Sequence, residues 1–152
     1  MSARAAWRLE TLGFEQVYRY QPGKDDWVVA RLPLAGATAG APTAADVARA
    51  DVPACGLRDP VVEVAARVDA EGWPLAVVLG ERRVVLGRLR PGDLAARPDA
   101  LAEELMVEGP RTIRGTRPAA ELAEWLDERS VPGVLVTTAD GELVGYVRRD
   151  EL

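Results

Sequence analysis

Histidine is absent from the 152 residues, cysteine occurs once, at Cys55, and lysine once, at Lys24. Without histidine, His-dependent catalysis is excluded. With a single thiol, neither a zinc site of Cys and His ligands nor an intrachain disulfide can be assembled. No apolar run approaches the roughly 18–20 residues that a membrane-spanning helix needs, and Met1-Ser2-Ala3-Arg4 leads into an amphipathic stretch with no signal-peptide core. These absences predict a cytoplasmic protein without membrane contact. An excess of positive charge is missing as well: 19 basic residues face 24 acidic ones, for a net charge of −5. That balance removes the electrostatic footprint of a general nucleic-acid binder, although local arginine clusters remain. The scarcity of lysine beside abundant Ala, Arg, Gly and Pro reads as codon bias of a high-GC bacterial genome.

What the chain does contain is one stretch written twice. Pro60 to Leu94 recurs as Pro118 to Leu152, displaced by 118 − 60 = 58 residues without a gap. Identities include Pro60/Pro118, Glu63/Glu121, Asp69/Asp127, Val78/Val136, Gly87/Gly145, Arg90/Arg148 and Leu94/Leu152, and most other pairs keep apolar character. Such self-similarity is the mark of a tandem duplication. In each copy, Val61, Val64, Ala65 and Val68, or Ala119, Leu122, Ala123 and Leu126, have helical spacing and predict a helix burying one stripe. Leu75–Leu79 and Gly133–Thr137 are short β-branched runs. Each is followed by a turn, at 80–83 or 138–141, and a second run ending at Leu89 or Val147, so each copy predicts a hairpin. At 152 residues, two half-size repeats sharing one core fit better than two independent domains.

This α-β-turn-β order, preceded by an extended piece (Val52–Leu57 or Pro110–Arg114) and closed by Gly-x-x-Arg-x-x-Asp/Glu-Leu, resembles the cystathionine-β-synthase-type (CBS) domain over residues 43–152. The resemblance implies an α/β fold of two βαββα units packed about a pseudo-two-fold axis, with a cleft between them where family members bind adenine nucleotides or related ligands. The family's closing motif is Gly-x-x-[Ser/Thr]-x-x-Asp, whose carboxylate takes ribose hydroxyls and whose hydroxyl approaches phosphate. The first copy keeps Asp93 but has Arg90 at the hydroxyl position; the second has Arg148 and Glu151. Two readings of Arg90 and Arg148 stand open: phosphate ligands, since a guanidinium suits that role, or solvated residues paired with nearby acids. Asp93 is a ribose acceptor or a helix N-cap. Trp73 stacks on a base or packs in the core. The resemblance further places Cys55, Gly56 and Leu57 beside the base, while Cys55 on its own residues reads as a buried filler.

Ahead of the repeats, Ser2–Leu12 predicts a helix with Ser2 as its N-cap and Gly13 as its stop, Val17–Tyr20 a short strand, Gln21–Gly23 a turn, and Asp25 the cap of a helix carrying Trp27, Val28 and Ala30 up to Pro33. The run Gly13-Phe14-x-x-Val17-x-x-Tyr20-x-x-Gly23-x-x-x-Trp27 resembles the C-terminal end of a rhodanese-like domain. No cysteine occurs in it to carry a persulfide, so it reads as a non-catalytic remnant. Ala35–Pro42 is small and uncharged and reads as a linker. Thr43-x-x-Asp46 resembles a capping box opening a short helix, with Leu101–Met106 as its repeat partner.

The organisation expected is therefore a remnant at 1–34, a linker at 35–42, one repeat at 43–100 and the other at 101–152. The expected function is that of a regulatory, non-enzymatic module, and the resemblance implies a homodimer, as CBS pairs commonly form. It would need no cofactor and would sense an adenosine-containing or other anionic ligand. The alternative is an interaction module that has lost its ligand.

Overall fold

The computed structural model describes residues 3–18, 20, 23–36 and 39–152. Two sheets carry the repeats. In the first, β1 (Ala54–Gly56) runs parallel to β2 (Ala76–Leu79) across helix α4 (Val61–Glu71), β2 forms a hairpin with β3 (Val85–Leu89), and β4 (Val107–Glu108) adds antiparallel to β3. In the second, β5 (Thr112–Arg114) lies parallel to β6 (Gly133–Thr137) across α7 (Ala119–Glu128), and β6 pairs antiparallel with β7 (Leu143–Arg148). Both hairpins break register at the same place, between Val78 and Leu79 and between Val136 and Thr137. The helices form because the predicted stripes find a sheet: Val61, Val64 and Val68, and Leu122 and Leu126, are buried. α5 (Pro91–Ala96) follows β3, and a 3-10 turn (Arg149–Glu151) stands in its place after β7.

The two units exchange their leading segments, which the sequence did not announce. α3 (Ala44–Val47), at the head of the first repeat, buries Ala44 in the cluster of Leu122, Leu126 and Val136. α6 (Ala102–Leu105), at the head of the second, buries Ala102 in the cluster of Val61, Val64 and Val78. Behind each helix the chain crosses to the other sheet, where Val107 pairs with Arg88 and, 58 residues apart on both sides, Arg49 pairs with Tyr146. The motif glycines permit that crossing. A β-carbon on Gly145 would lie 2.5 Å from the Arg49 carbonyl oxygen, and one on Gly87 would lie 2.8 Å from Met106 Sδ. Val84 bridges Glu142, its own counterpart, so the hairpin turns meet on the pseudo-two-fold axis. The core is continuous across it, since Leu135, Leu143 and Tyr146 belong to the first repeat's cluster.

The capping box forms: the Asp46 carboxylate accepts from the Thr43 N–H at 2.9 Å and from its hydroxyl at 2.8 Å. Two expectations for the N-terminal segment, the strand at Val17–Tyr20 and the Asp25 cap, need correction. α1 covers Ala3–Thr11, and Ser2, its predicted cap, lies outside the described residues, as do Gln21 and Pro22 of the predicted turn. Val17, Tyr18 and Tyr20 lie in no strand; Tyr20 instead donates its hydroxyl to Asp26 and meets Trp27 edge-on. Asp25 sits inside the first turn of α2 (Gly23–Val29) and accepts from Thr116 Oγ1 at 3.0 Å, while Val29 packs against Gly115. The N-terminal segment thus docks on the second repeat.

Candidate ligand cleft between the repeats

The 58-residue correspondence relates two places, one at Trp73 ahead of β2 and the other at Val131 ahead of β6. Their chemistry differs sharply.

On the first side Trp73 is buried, 2% exposed, and contacts Tyr146 edge-on with centroids 6.2 Å apart. Its indole N–H donates to Glu71 Oε2 at 2.9 Å. The Arg49 guanidinium lies 4.5 Å and that of Arg148 4.7 Å from the ring centroid, within cation–π range. Both cations are neutralised within the chain. Arg49 forks onto Asp51, with Nε to Oδ1 at 3.0 Å, and reaches Glu151 Oε1 at 3.1 Å. Arg148 donates to the Gly72 carbonyl at 2.6 Å and lies 3.9 Å from Glu151. The Arg49 hydrogen bond holds the Asp51 carboxyl below the usual range, and Arg49, bonded first to Asp51 and then to Glu151, is itself held more firmly protonated.

On the second side Val131 stands where Trp73 stands on the first, and a cleft of about 350 Å3 opens between the repeats. Pro74 and Leu75 wall it from one repeat, Val131 to Leu135 from the other, with Arg88, Arg111, Trp125 and Tyr146 around it. Arg88 Nε is buried without a hydrogen-bond partner, and among the described residues its guanidinium has no ion pair. Trp125 carries three guanidinium groups near its ring, Arg129 at 4.9 Å, Arg117 at 5.3 Å and Arg111 at 5.7 Å. Burial pushes the Tyr146 hydroxyl up to about 12, against the pull of Arg148 and Arg88 nearby.

The residues singled out from the sequence therefore separate into three groups. Trp73, Arg148 and Glu151 come together on the closed side. Arg90 and Asp93 flank the start of α5; Arg90 occupies the cap position with Pro91 first in the helix, so Asp93 is in the first turn and is not the N-cap. Neither lines the cleft, and among the described residues neither makes a side-chain hydrogen bond or ion pair. Cys55, Gly56 and Leu57 stand apart from the cleft with their backbone engaged: Cys55 is in register with Val78, Gly56 N–H donates to Asp59 at 2.7 Å, and the Leu57 carbonyl accepts from Glu103 at 2.9 Å. Cys55 packs against the core, and burial, with Asp59 adding, pushes its thiol up to about 11. Arg49, Asp51, Arg88 and Arg111 were not legible as site residues. The signal was the repeat register itself, in which Arg88 is the counterpart of Tyr146 and Arg49 the counterpart of Val107.

No protein-family model matches the chain, and no curated protein matches it in sequence. Solved structures do match. CBSX2, a CBS-pair protein from Arabidopsis thaliana, is 18% identical with a TM-score of 0.61, covering 73% of this chain and 91% of its own; CBSX2 has also been solved in complex with AMP. The CBS domains of a transcriptional regulator from Streptococcus pneumoniae are 17% identical, TM-score 0.61, over 72% of this chain and 94% of theirs. The cytosolic domain of the Mg2+ channel MgtE, solved in complex with ATP, is 21% identical, TM-score 0.63, over 72% of this chain and 47% of its own. Over roughly three quarters of its length, the chain has the fold of a tandem CBS domain pair.

Proposed function

We propose that the protein is a regulatory module whose inter-repeat cleft binds an adenosine-containing nucleotide or another anionic ligand and transmits its occupancy to a partner, without catalysing a reaction. The observation that carries this reading is Arg88: a guanidinium bordering a 350 Å3 cleft, with a buried Nε and no counter-charge among the described residues. A buried donor without a partner is a standing penalty that an anionic ligand would remove. AMP and ATP in the complexes of CBSX2 and MgtE suit such a cleft. Arg90 and Asp93 correspond in the repeat to Arg148 and Glu151, and they stand at the start of α5, outside the residues that line the cleft. In this reading they face the ligand's phosphate and ribose, while Cys55, Gly56 and Leu57 lie outside its reach.

The test is a thermal-shift and calorimetric panel of AMP, ADP, ATP and S-adenosylmethionine on the wild type and Arg88→Met. A ligand that binds only the native state stabilises it by about 2.7 kcal/mol at a hundredfold excess over Kd. Stabilisation in the wild type that disappears in Arg88→Met is the expected result.

A second reading, an interaction module without a ligand, is favoured by the closed first side, where the chain satisfies its own charges. In either reading the protein works as a homodimer in the cytoplasm, its units being the repeats at 43–100 and 101–152 joined by the 35–42 linker to the N-terminal segment. That segment, a rhodanese-like remnant without a nucleophile, leaves Trp7, Leu12, Phe14 and Tyr18 exposed and supports a role in pairing. A dimer mass by light scattering that falls to the monomer in Trp7→Glu/Phe14→Glu is expected; a monomer at every concentration of the wild type removes this part.

A further inference from the structure

We infer that the protein has one working half-site per chain, in the second side of the cleft, and that on the first side Trp73, clamped by Arg49 and Arg148, is a permanent occupant of the equivalent space. The inference rests on the ligand-binding reading only for the natural identity of what the open side takes.

The substitutions between the repeats do this work. Trp73 corresponds to Val131, Arg49 to Val107 and Asp51 to Gly109. Where the first repeat has an indole, the second has a side chain too short to cross the cleft, and the volume stays open. The first side also pairs its charges within the chain. Two guanidinium groups lie over the ring at 4.5 and 4.7 Å, and Asp51 and Glu151 supply the opposing charge. The indole N–H is taken by Glu71. One donor there is left over, the buried Arg148 Nε, which has no hydrogen-bond partner among the described residues, while both Arg148 terminal nitrogens face acceptors. The second side has cations of its own, Arg88 and Arg111, at the positions that correspond to Tyr146 and Pro53, and it has Val131 and Gly109 where the first side has Trp73 and Asp51.

The closed side therefore describes what the open side accepts. A planar aromatic group corresponds to the indole of Trp73, and an anionic group attached to it corresponds to the carboxylates of Asp51 and Glu151. The chemical class is an aromatic anion, taken once per chain. A conformational signal carried by it is accordingly asymmetric: one repeat is held in its occupied arrangement at all times, and only the other changes occupancy.

Two reciprocal swaps test this with a probe that does not depend on nucleotides, 1-anilinonaphthalene-8-sulfonate, titrated into the full chain with folding checked by circular dichroism. The wild type is expected to bind one dye molecule per chain more than Val131→Trp, and Trp73→Val one more than the wild type. Arg88→Met should weaken the wild-type dye site tenfold or more. Equal dye on folded Val131→Trp and wild type, or no gain in folded Trp73→Val, overturns the inference. If Trp73→Val does not fold, the Val131→Trp and Arg88→Met comparisons decide alone. AMP and ATP titrated into the same proteins separate the two readings. Dye behaviour as expected with no nucleotide bound keeps the inference and sinks the nucleotide reading; two nucleotides per wild-type chain does the reverse.

Discussion

The carbonyl oxygen of Arg49 passes 2.5 Å from the point where a β-carbon on Gly145 would sit. This approach places the leading segment of the first repeat on the last strand of the second, where Arg49 and Tyr146 exchange backbone hydrogen bonds of 2.9 Å in both directions. The equivalent contact, between Gly87 and Met106, is made by a flexible side chain and not by backbone. Gly145→Ala should therefore destabilise more than Gly87→Ala. Overpacking costs about 1–3 kcal/mol, with Gly145→Ala near the top of that range and Gly87→Ala near the bottom, as read from urea midpoints. Equal losses would mean that the crossing segment is free to shift.

The shared core predicts a single unfolding transition. Val78 and Val136 are fully buried in adjoining clusters, and Tyr146 and Leu135 join the first repeat's core from the second. Val78→Asp or Val136→Asp would bury an unpaired charge and should unfold both repeats together. Near- and far-ultraviolet dichroism should melt coincidentally in the wild type; a half-folded state in either variant would contradict the common core.

Arg148 and Arg90 occupy matching places and should behave differently. Arg148 is 17% exposed by side chain, holds the Gly72 carbonyl and covers Trp73, so Arg148→Ala should lose about 2 kcal/mol of stability. Arg90→Ala and Asp93→Ala remove half-exposed or exposed groups without partners among the described residues and should leave stability within about 0.5 kcal/mol. In the nucleotide-binding reading these two variants instead weaken affinity by about 10- to 150-fold, the loss of one charge-assisted hydrogen bond. Calorimetry with AMP and ATP beside a urea titration checks both halves.

Alkaline pH should weaken the fold in two steps. The Cys55 thiol is raised by burial from 9.0 to about 11, and the Tyr146 hydroxyl from 10.0 to about 12. In each interval the unfolded chain has released a proton that the native chain still holds, so stability falls as pH rises. Below pH 9 both groups are protonated in either state and contribute no slope. Cys55→Ala should flatten the decline between pH 9 and about 11 and leave the higher part unchanged. The same shift predicts slow alkylation of Cys55 by iodoacetamide at pH 8, rising steeply only in denaturant.

The periodicities of the sequence determined the two helices, the two hairpins and the duplication, because each is a local pattern that needs only one face to be buried. Thr43 and Asp46 likewise specify their own turn. Two things were decided by the tertiary structure. The exchange of α3 and α6 between repeats depends on which sheet edge lies within reach, and the local sequence of Ala44–Val47 carries no sign of the partner it covers. The state of the cleft depends on contacts over long separations. Arg49 meets Glu151 across 102 residues, and Arg148 meets Gly72 across 76, so their charges are cancelled only in the folded chain. Nothing local in the sequence singles out Arg88; folding buries its Nε at the edge of a cleft, where it has no hydrogen-bond partner among the described residues.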